Sequence, residues 1–159
     1  MDFTEKYIKM CEKAEEIQRR WKPVIGDWLC WKIDYEDRLI MIVYDTQKIS
    51  SALSMLFVVS PFNKYKTALK IKEAIWLPRQ DQLQEMILEE EKMTNCLLLT
   101  EMFVEFLDKH REWLFESLCS MEQLWLIFVM WELYGKIWDD GKEEWAERSV
   151  SDEKGENKD

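Results

Sequence analysis

The sequence predicts an α+β fold: a small antiparallel sheet packed by an N-terminal helix and about three C-terminal helices. Three observations predict it. Before Trp21 and after Pro78, apolar residues recur at three- and four-residue steps. Between Gly26 and Leu77 they gather instead in short runs rich in aromatic and β-branched side chains. Nine tryptophans in 159 residues, beside four glycines and one histidine, supply large rings for a core and few parts for a recognisable active site. Residues 1–145 read as a single α+β domain, and 146–159 as a disordered polar tail.

The elements follow in order. Phe3, Tyr7, Met10, Ala14, Ile17 and Trp21 form one helical stripe, with Asp2 and Glu5 as a start signal and Pro23 as the stop. Trp28 to Ile33 and Leu39 to Tyr44 read as strands joined across Asp34–Arg38. The second run has no charged member and is expected to be covered on both faces. Residues 49–59 fit a helix through Ile49, Leu53, Leu56 and Phe57, or a strand through Leu56–Val59. A turn at Pro61-Phe62-Asn63 precedes an extended segment from Ala68 to Leu77, giving a sheet of three or four strands.

Pro78 suits the first turn of a helix because it has no N–H to leave unpaired. Leu83, Met86 and Ile87 form that helix's buried face, and the helix runs to about Lys92. Thr94 or Asn95 caps the next, whose stripe of Leu99, Met102, Phe103, Phe106, Leu107 and His110 continues to Trp113 and Leu114. Ser120 and Gln123 form a capping box for a helix that is apolar all round from Leu124 to Trp131. Trp131, Tyr134 and Trp138 keep its step, so either Gly135 or Gly141 ends it.

Composition narrows the function classes. The longest apolar run has eight residues, short of the roughly 20 that span a bilayer, and Met1–Trp21 has no apolar centre like that of a signal peptide. No membrane association is expected. Cys11, Cys30, Cys96 and Cys119 contain no CxxC, and one histidine cannot complete the usual zinc spacings, so all four read as reduced core residues. No metal or cofactor is expected. The glycines form neither GxGxxG nor a P-loop, which argues against a common nucleotide-binding enzyme.

The net charge of −10 is unevenly spread. Residues 1–80 carry 14 Lys/Arg against 11 Asp/Glu, whereas 81–122 carry 3 against 11. Such asymmetry bears on the sign of a partner rather than on fold. Glu85, Glu89, Glu101, Glu105, Asp108, Glu112 and Glu116 are candidates for exposed helix faces that meet a basic surface. Arg19-Arg20-Trp21 and Lys64, Lys66, Lys70 and Lys72 are candidates for nucleic-acid contact, with Lys70 and Lys72 sharing a strand face. His110 lies on an apolar helical stripe and reads as a half-buried core histidine. Asp139-Asp140-Gly141 lacks the alternating ligands of a calcium loop and reads as a helix end or turn.

Two stretches resemble blocks in small uncharacterised proteins of tailed phages and their prophages. They are Trp76-Leu77-Pro78-Arg79-Gln80-Asp81-Gln82-Leu83-Gln84-Glu85-Met86-Ile87 and Ser120-Met121-Glu122-Gln123-Leu124-Trp125 through Trp138-Asp139, about a fifth of the chain. The resemblance implies an accessory phage role in the bacterial cytoplasm and assigns no functional residues.

The expected function is therefore a phage or prophage accessory protein that binds a macromolecule without catalysis. Its acidic face would consist of Glu85, Glu89, Glu101, Glu105 and Glu112, and its partner would be a host or phage protein with a basic surface. No catalytic residue is assigned, and no oligomeric state is implied. The alternatives are an enzyme whose site combines carboxylates with His110, or a nucleic-acid binder using the basic N-terminal half.

Overall fold

A computed structural model describes residues 1–32, 38–50, 53–92, 94–116 and 120–147, with the backbone alone for 47–50, 53–54 and 115–116. The turn at 34–37, Glu116's side chain, Cys119 and most of the expected tail lie outside the described residues. The fold is α+β, combining a five-stranded antiparallel sheet with helices. Its residues group into two units, Phe3–Pro78, and Met1–Asp2 with Arg79–Asp159.

In the sheet unit, helix α1 (Glu5–Lys13) is capped by Thr4, whose hydroxyl accepts from the Tyr7 N–H at 3.3 Å. Asp2, the expected start signal, serves the other unit. The stripe from Phe3 to Trp21 is expected on one helix, but Ala14, at φ −82° and ψ 69°, breaks it, and α2 spans Glu15–Arg20. Gln18 gives the break its physical sense. Its Nε2 donates to the Cys11 carbonyl at the break and to the Trp76 carbonyl, both at 3.0 Å. Its Oε1 accepts from the Trp76 N–H at 2.9 Å.

The strands are β1 (Trp28–Lys32), β2 (Arg38–Ser50), β3 (Leu53–Val59), β4 (Lys66–Lys70) and β5 (Ala74–Leu77), in the spatial order β4-β3-β2-β1-β5. The sheet thus has five strands where three or four were expected. The segment from Ala68 to Leu77 is not one strand: a 3₁₀ turn at Ile71–Glu73 divides it into β4 and β5, which lie at opposite edges. Glu73 holds that turn by accepting from the Lys70 N–H at 3.1 Å. The open choice over residues 49–59 resolves to extended backbone, the end of β2 followed by β3, with 51–52 outside the described residues.

Strand β2 is fully covered on one face and partly covered on the other, where full cover of both was expected. Met41 and Val43 are fully buried, Ile40 and Ile42 are half-buried, and Tyr44 is exposed. An uncharged run therefore marks an apolar strand without fixing how many of its faces are covered. In β5, Trp76 pairs opposite Leu29 yet directs its N–H and carbonyl to Gln18, away from β1. Tyr7 donates its hydroxyl to the Pro78 carbonyl at 2.5 Å, and the Ala74 N–H donates to Ile71.

In the helical unit, α3 spans Gln80–Glu90, α4 Cys96–Lys109, α5 Arg111–Glu116 and α6 Met121–Tyr134. Pro78 does not open α3. Arg79 is its cap, with its N–H donating to Gln82 Oε1 at 2.9 Å. Asn95 caps α4 by accepting from the Leu97 N–H at 2.9 Å. The α4 stripe stops at His110 instead of continuing through Leu114, so four helices stand where about three were expected. At this break the His110 ring packs 4.8 Å from Phe106 and 4.3 Å from Trp131.

Helix α6 is the core of this unit. Trp125 through Trp131 are each at most 6% exposed. Phe103 stacks on Trp125 at 4.0 Å, and Phe103 and Phe106 meet Phe128 at 5.3 and 5.2 Å. The Ser120 hydroxyl accepts from the Gln123 N–H at 3.1 Å, but the expected return bond of a capping box is replaced. Gln123 Nε2 and the Ser120 hydroxyl instead both donate to buried Asp2, at 2.7 and 2.5 Å. The Met1 ammonium pairs with Glu122 at 2.9 Å. A buried carboxylate at the positive end of a helix is favourably placed.

Gly135, at φ 61°, ends α6 in the left-handed conformation that glycine adopts without strain. Trp138 therefore leaves the helix, and β6 (Lys136–Asp139) pairs with β7 (Glu144–Glu147) as a hairpin absent from the sequence reading. Asp139 Oδ1 accepts from the Gly141 and Lys142 N–H groups at 3.0 and 3.1 Å, so Asp139-Asp140-Gly141 is a turn. Ala146 and Glu147, expected in the tail, belong to β7 because Ala146 pairs with Ile137 and Trp145 packs on Trp138 at 5.1 Å.

Truncating Phe128 to Ala should cost about 3–5 kcal/mol, read as a lower midpoint in urea unfolding. Gln18→Ala should cost about 2 kcal/mol, because it orphans both Trp76 backbone groups. An unchanged midpoint for either variant would contradict the packing described.

Candidate functional site

Helix α4 has two faces of different chemistry. Leu99, Phe103 and Phe106 are buried against the unit's core. On the opposite side, Leu97, Leu98, Glu101, Val104, Glu105 and Asp108 are all exposed. At about 100° per residue these six fall within an arc of about 120°. Leu97 is 68% exposed and Val104 56%. They alternate along the helix with Glu101 and Asp108, so one strip presents both aliphatic surface and negative charge.

Glu85, Glu89, Glu101, Glu105, Asp108 and Glu112 are exposed, and the side chain of Glu116 lies outside the described residues. Glu101 and Glu105 share this strip, one turn apart. Glu112 is exposed on α5, after the break at His110, and Glu85 and Glu89 are exposed one turn apart on α3. The five do not lie on one element: three helices carry them. The exposed leucines and valine escape a reading based on charge. Their signal is in the run Leu97-Leu98-Leu99, of which only Leu99 falls on the buried stripe.

The other candidates find structural settings. His110 packs within the Phe106–Trp131 cluster. Lys70 and Lys72 do not share a strand face, because Lys72 lies in the 3₁₀ turn; Lys66 and Lys70 do share one. Arg19 pairs with Glu15 at 2.5 Å, and both line an open groove of about 320 Å³ with Gln18, Trp21 and Lys72. Lys32 and Arg38 both pair with Glu12. The groove thus has an apolar floor and a rim of mixed, mutually compensating charge.

Cys11 and Cys30 are buried as expected, whereas Cys96, at the start of α4, is exposed. Burial pushes the Cys30 thiol up to about 11, which holds it in the unreactive protonated form. The bonds from Arg79 hold the Asp81 carboxyl below the ordinary range, and the Lys142 N–H does the same for Asp139. Among the described residues no group of three or more His, Cys, Asp or Glu is placed to hold a metal ion. No described helix is long and apolar enough to cross a membrane.

Alkylation of the native chain at mildly alkaline pH, mapped by peptide mass, should label Cys96 rapidly. Cys11 and Cys30 should be labelled only after denaturation. Fast native labelling of Cys30 would overturn its placement.

Comparison with protein-family models, curated proteins and solved structures finds no match for this chain.

Proposed function

We propose that this chain is a non-enzymatic binding protein whose outer α4 face takes a partner protein with a basic, partly apolar surface. The observation that carries the reading is the exposure of Leu97, Leu98 and Val104 among Glu101, Glu105 and Asp108. Exposed carboxylates alone are an ordinary solvated surface. Large aliphatic side chains exposed on a helix whose other face already fills a core are a contact surface without a contact. The carboxylates repel phosphate and attract Lys or Arg, so the pattern favours a protein over a polynucleotide here. Glu112 on α5 and the α3 pair Glu85 and Glu89 add exposed negative charge to the same unit. On the resemblance of its two sequence blocks, the protein serves as an accessory factor of a phage or prophage in the bacterial cytoplasm.

The charged and apolar parts contribute separably. Long-range attraction sets the association rate and is screened beyond about 8–10 Å at physiological salt. Close apolar contact sets the dissociation rate. With a partner captured from nuclease-treated bacterial lysate, reversing Glu101, Glu105 and Glu112 to Lys should slow association about tenfold and flatten its salt dependence. The double substitution Leu97→Ser with Val104→Ser should accelerate dissociation instead. Binding that is independent of salt and indifferent to both sets would refute the proposal, provided circular dichroism shows intact helices.

A further inference from the structure

The sheet unit presents a second surface, opposite in charge to the α4 strip. One sheet face is closed: Met41, Val43, Leu56, Val58 and Leu69 are at most 1% exposed. The other carries, in register across β1 to β4, Trp28, Ile42, Val59 and Lys66. The adjoining row is Asp45, Phe57 and Ala68. A bulge between Val43 and Asp45 inserts Tyr44 beside this row. The Tyr44 ring lies 6.3 Å from that of Phe57, and Lys66 Nζ sits 5.5 Å from the Tyr44 ring centre.

These rings are open to solvent. Tyr44 is 41% exposed, Phe57 is half-buried, and the neighbour of Phe57 on β4 is exposed Ala68, whose methyl group shields little of it. Phe3 covers the Trp28 end of this face, 4.9 Å from Trp28 and 6.2 Å from Phe62, while Phe62 itself stays 72% exposed and Tyr65 48% exposed in the turn that joins β3 to β4. Lys64, Lys66 and Lys70 are exposed along the same edge. Two exposed carboxylates share the region: Asp45, opposite Phe57, accepts from the Thr46 N–H, and Glu73 accepts from the Lys70 N–H.

Two partly exposed rings inclined at 62° to each other, with Lys66 over one face of Tyr44 and further lysines along the edge, suit a chain that offers unstacked rings and regularly spaced negative charge. Every base has a π-face, so stacking on Tyr44 and Phe57 tolerates any sequence, while lysines follow the phosphates. A duplex hides its base faces and could reach only the lysines. An acidic peptide could meet the lysines but offers no flat rings to the aromatic pair. We propose that this sheet face binds single-stranded nucleic acid, with bases on Tyr44 and Phe57 and phosphates on Lys64, Lys66 and Lys70. It rests on none of the residues of the α4 strip.

Fluorescence anisotropy with the full chain tests it, using labelled oligo(dT) and oligo(U) of about 16 nucleotides, a duplex of equal length, and polyglutamate as competitor. At about 50 mM salt the single strands should bind at least about tenfold more tightly than the duplex, and whichever of dT or U binds better identifies the polymer. Tyr44→Ala should weaken single-strand binding about tenfold, and Tyr44→Phe should retain it, since stacking needs the ring and not the hydroxyl. Lys66→Gln and Lys70→Gln should each reduce the log–log salt slope by about 0.7. Three results would overturn the proposal: no binding of either single strand at low salt, duplex binding of equal strength with Tyr44→Ala neutral, or displacement by polyglutamate as effective as by unlabelled oligonucleotide.

Discussion

The sheet unit depends on how its β5 edge is closed. An edge strand leaves every second N–H and carbonyl without a ladder partner, and such groups are costly to bury and hazardous to expose. Here β5 meets side chains and a turn instead of another strand. Gln18 supplies both a donor and an acceptor to Trp76, reproducing the paired bonds of a neighbouring strand with one amide. Tyr7 takes the Pro78 carbonyl, and Pro78 has no N–H to satisfy. The third bond of Gln18, to Cys11, ties the helical break to the same edge. One glutamine thereby couples the bend at Ala14 to the register of the sheet. Trp21, stacked on Trp76 at 5.9 Å and donating to buried Asp27 at 2.8 Å, covers the same place.

This arrangement accounts for what was legible in the sequence. Periodicity recovered the buried faces of α3 and α4 and the all-round apolar character of α6, because burial of side chains is what periodicity records. Phe103, Trp125 and Phe128 form the aromatic core their spacing suggests. Some of the differences arise where a polar group bonds across many residues, and others where the backbone changes direction. Asp2 reads as a local helix start, yet it accepts from the Ser120 and Gln123 side chains at the start of α6, far along the chain. Gln18 lies off the apolar stripe, where spacing says nothing of its role, yet it bonds both backbone groups of Trp76 at the sheet edge. The breaks at Ala14 and His110 fall inside unbroken apolar stripes, where side-chain pattern carries no sign of a change in backbone direction.

Of the candidate site, the exposure of the acidic residues was legible and their distribution over three helices was not. The lysines were legible as a cluster, but Lys72 was assigned to the wrong element because a short 3₁₀ turn leaves no mark on apolar spacing. Exposed aliphatic residues are harder still to find. Leu97, Leu98 and Val104 look like core until the helix phase is fixed, and only Leu99, Phe103 and Phe106 fix it. The same holds for Tyr44, which is the fourth residue past Ile40 in a run that reads as buried throughout. The bulge that turns it outward is a backbone event.

Placement of polar groups then argues where function lies. Inside the molecule, the groups able to do chemistry serve architecture: Asp27 holds the Trp21 indole and the Val24 N–H, Asp2 holds α6, and Tyr7 and Gln18 close β5. His110 fills an aromatic cluster, and burial keeps Cys30 protonated. A group fixed in this way is costly to redirect, because moving it strands the partner it satisfies. Charge is divided unevenly between the two units. Phe3–Pro78 carries 13 Lys/Arg against 10 Asp/Glu, while the rest of the chain carries 9 against 22. The two exposed patches of opposite charge, each containing apolar side chains that its own unit does not bury, are the surfaces on which the two proposals above rest.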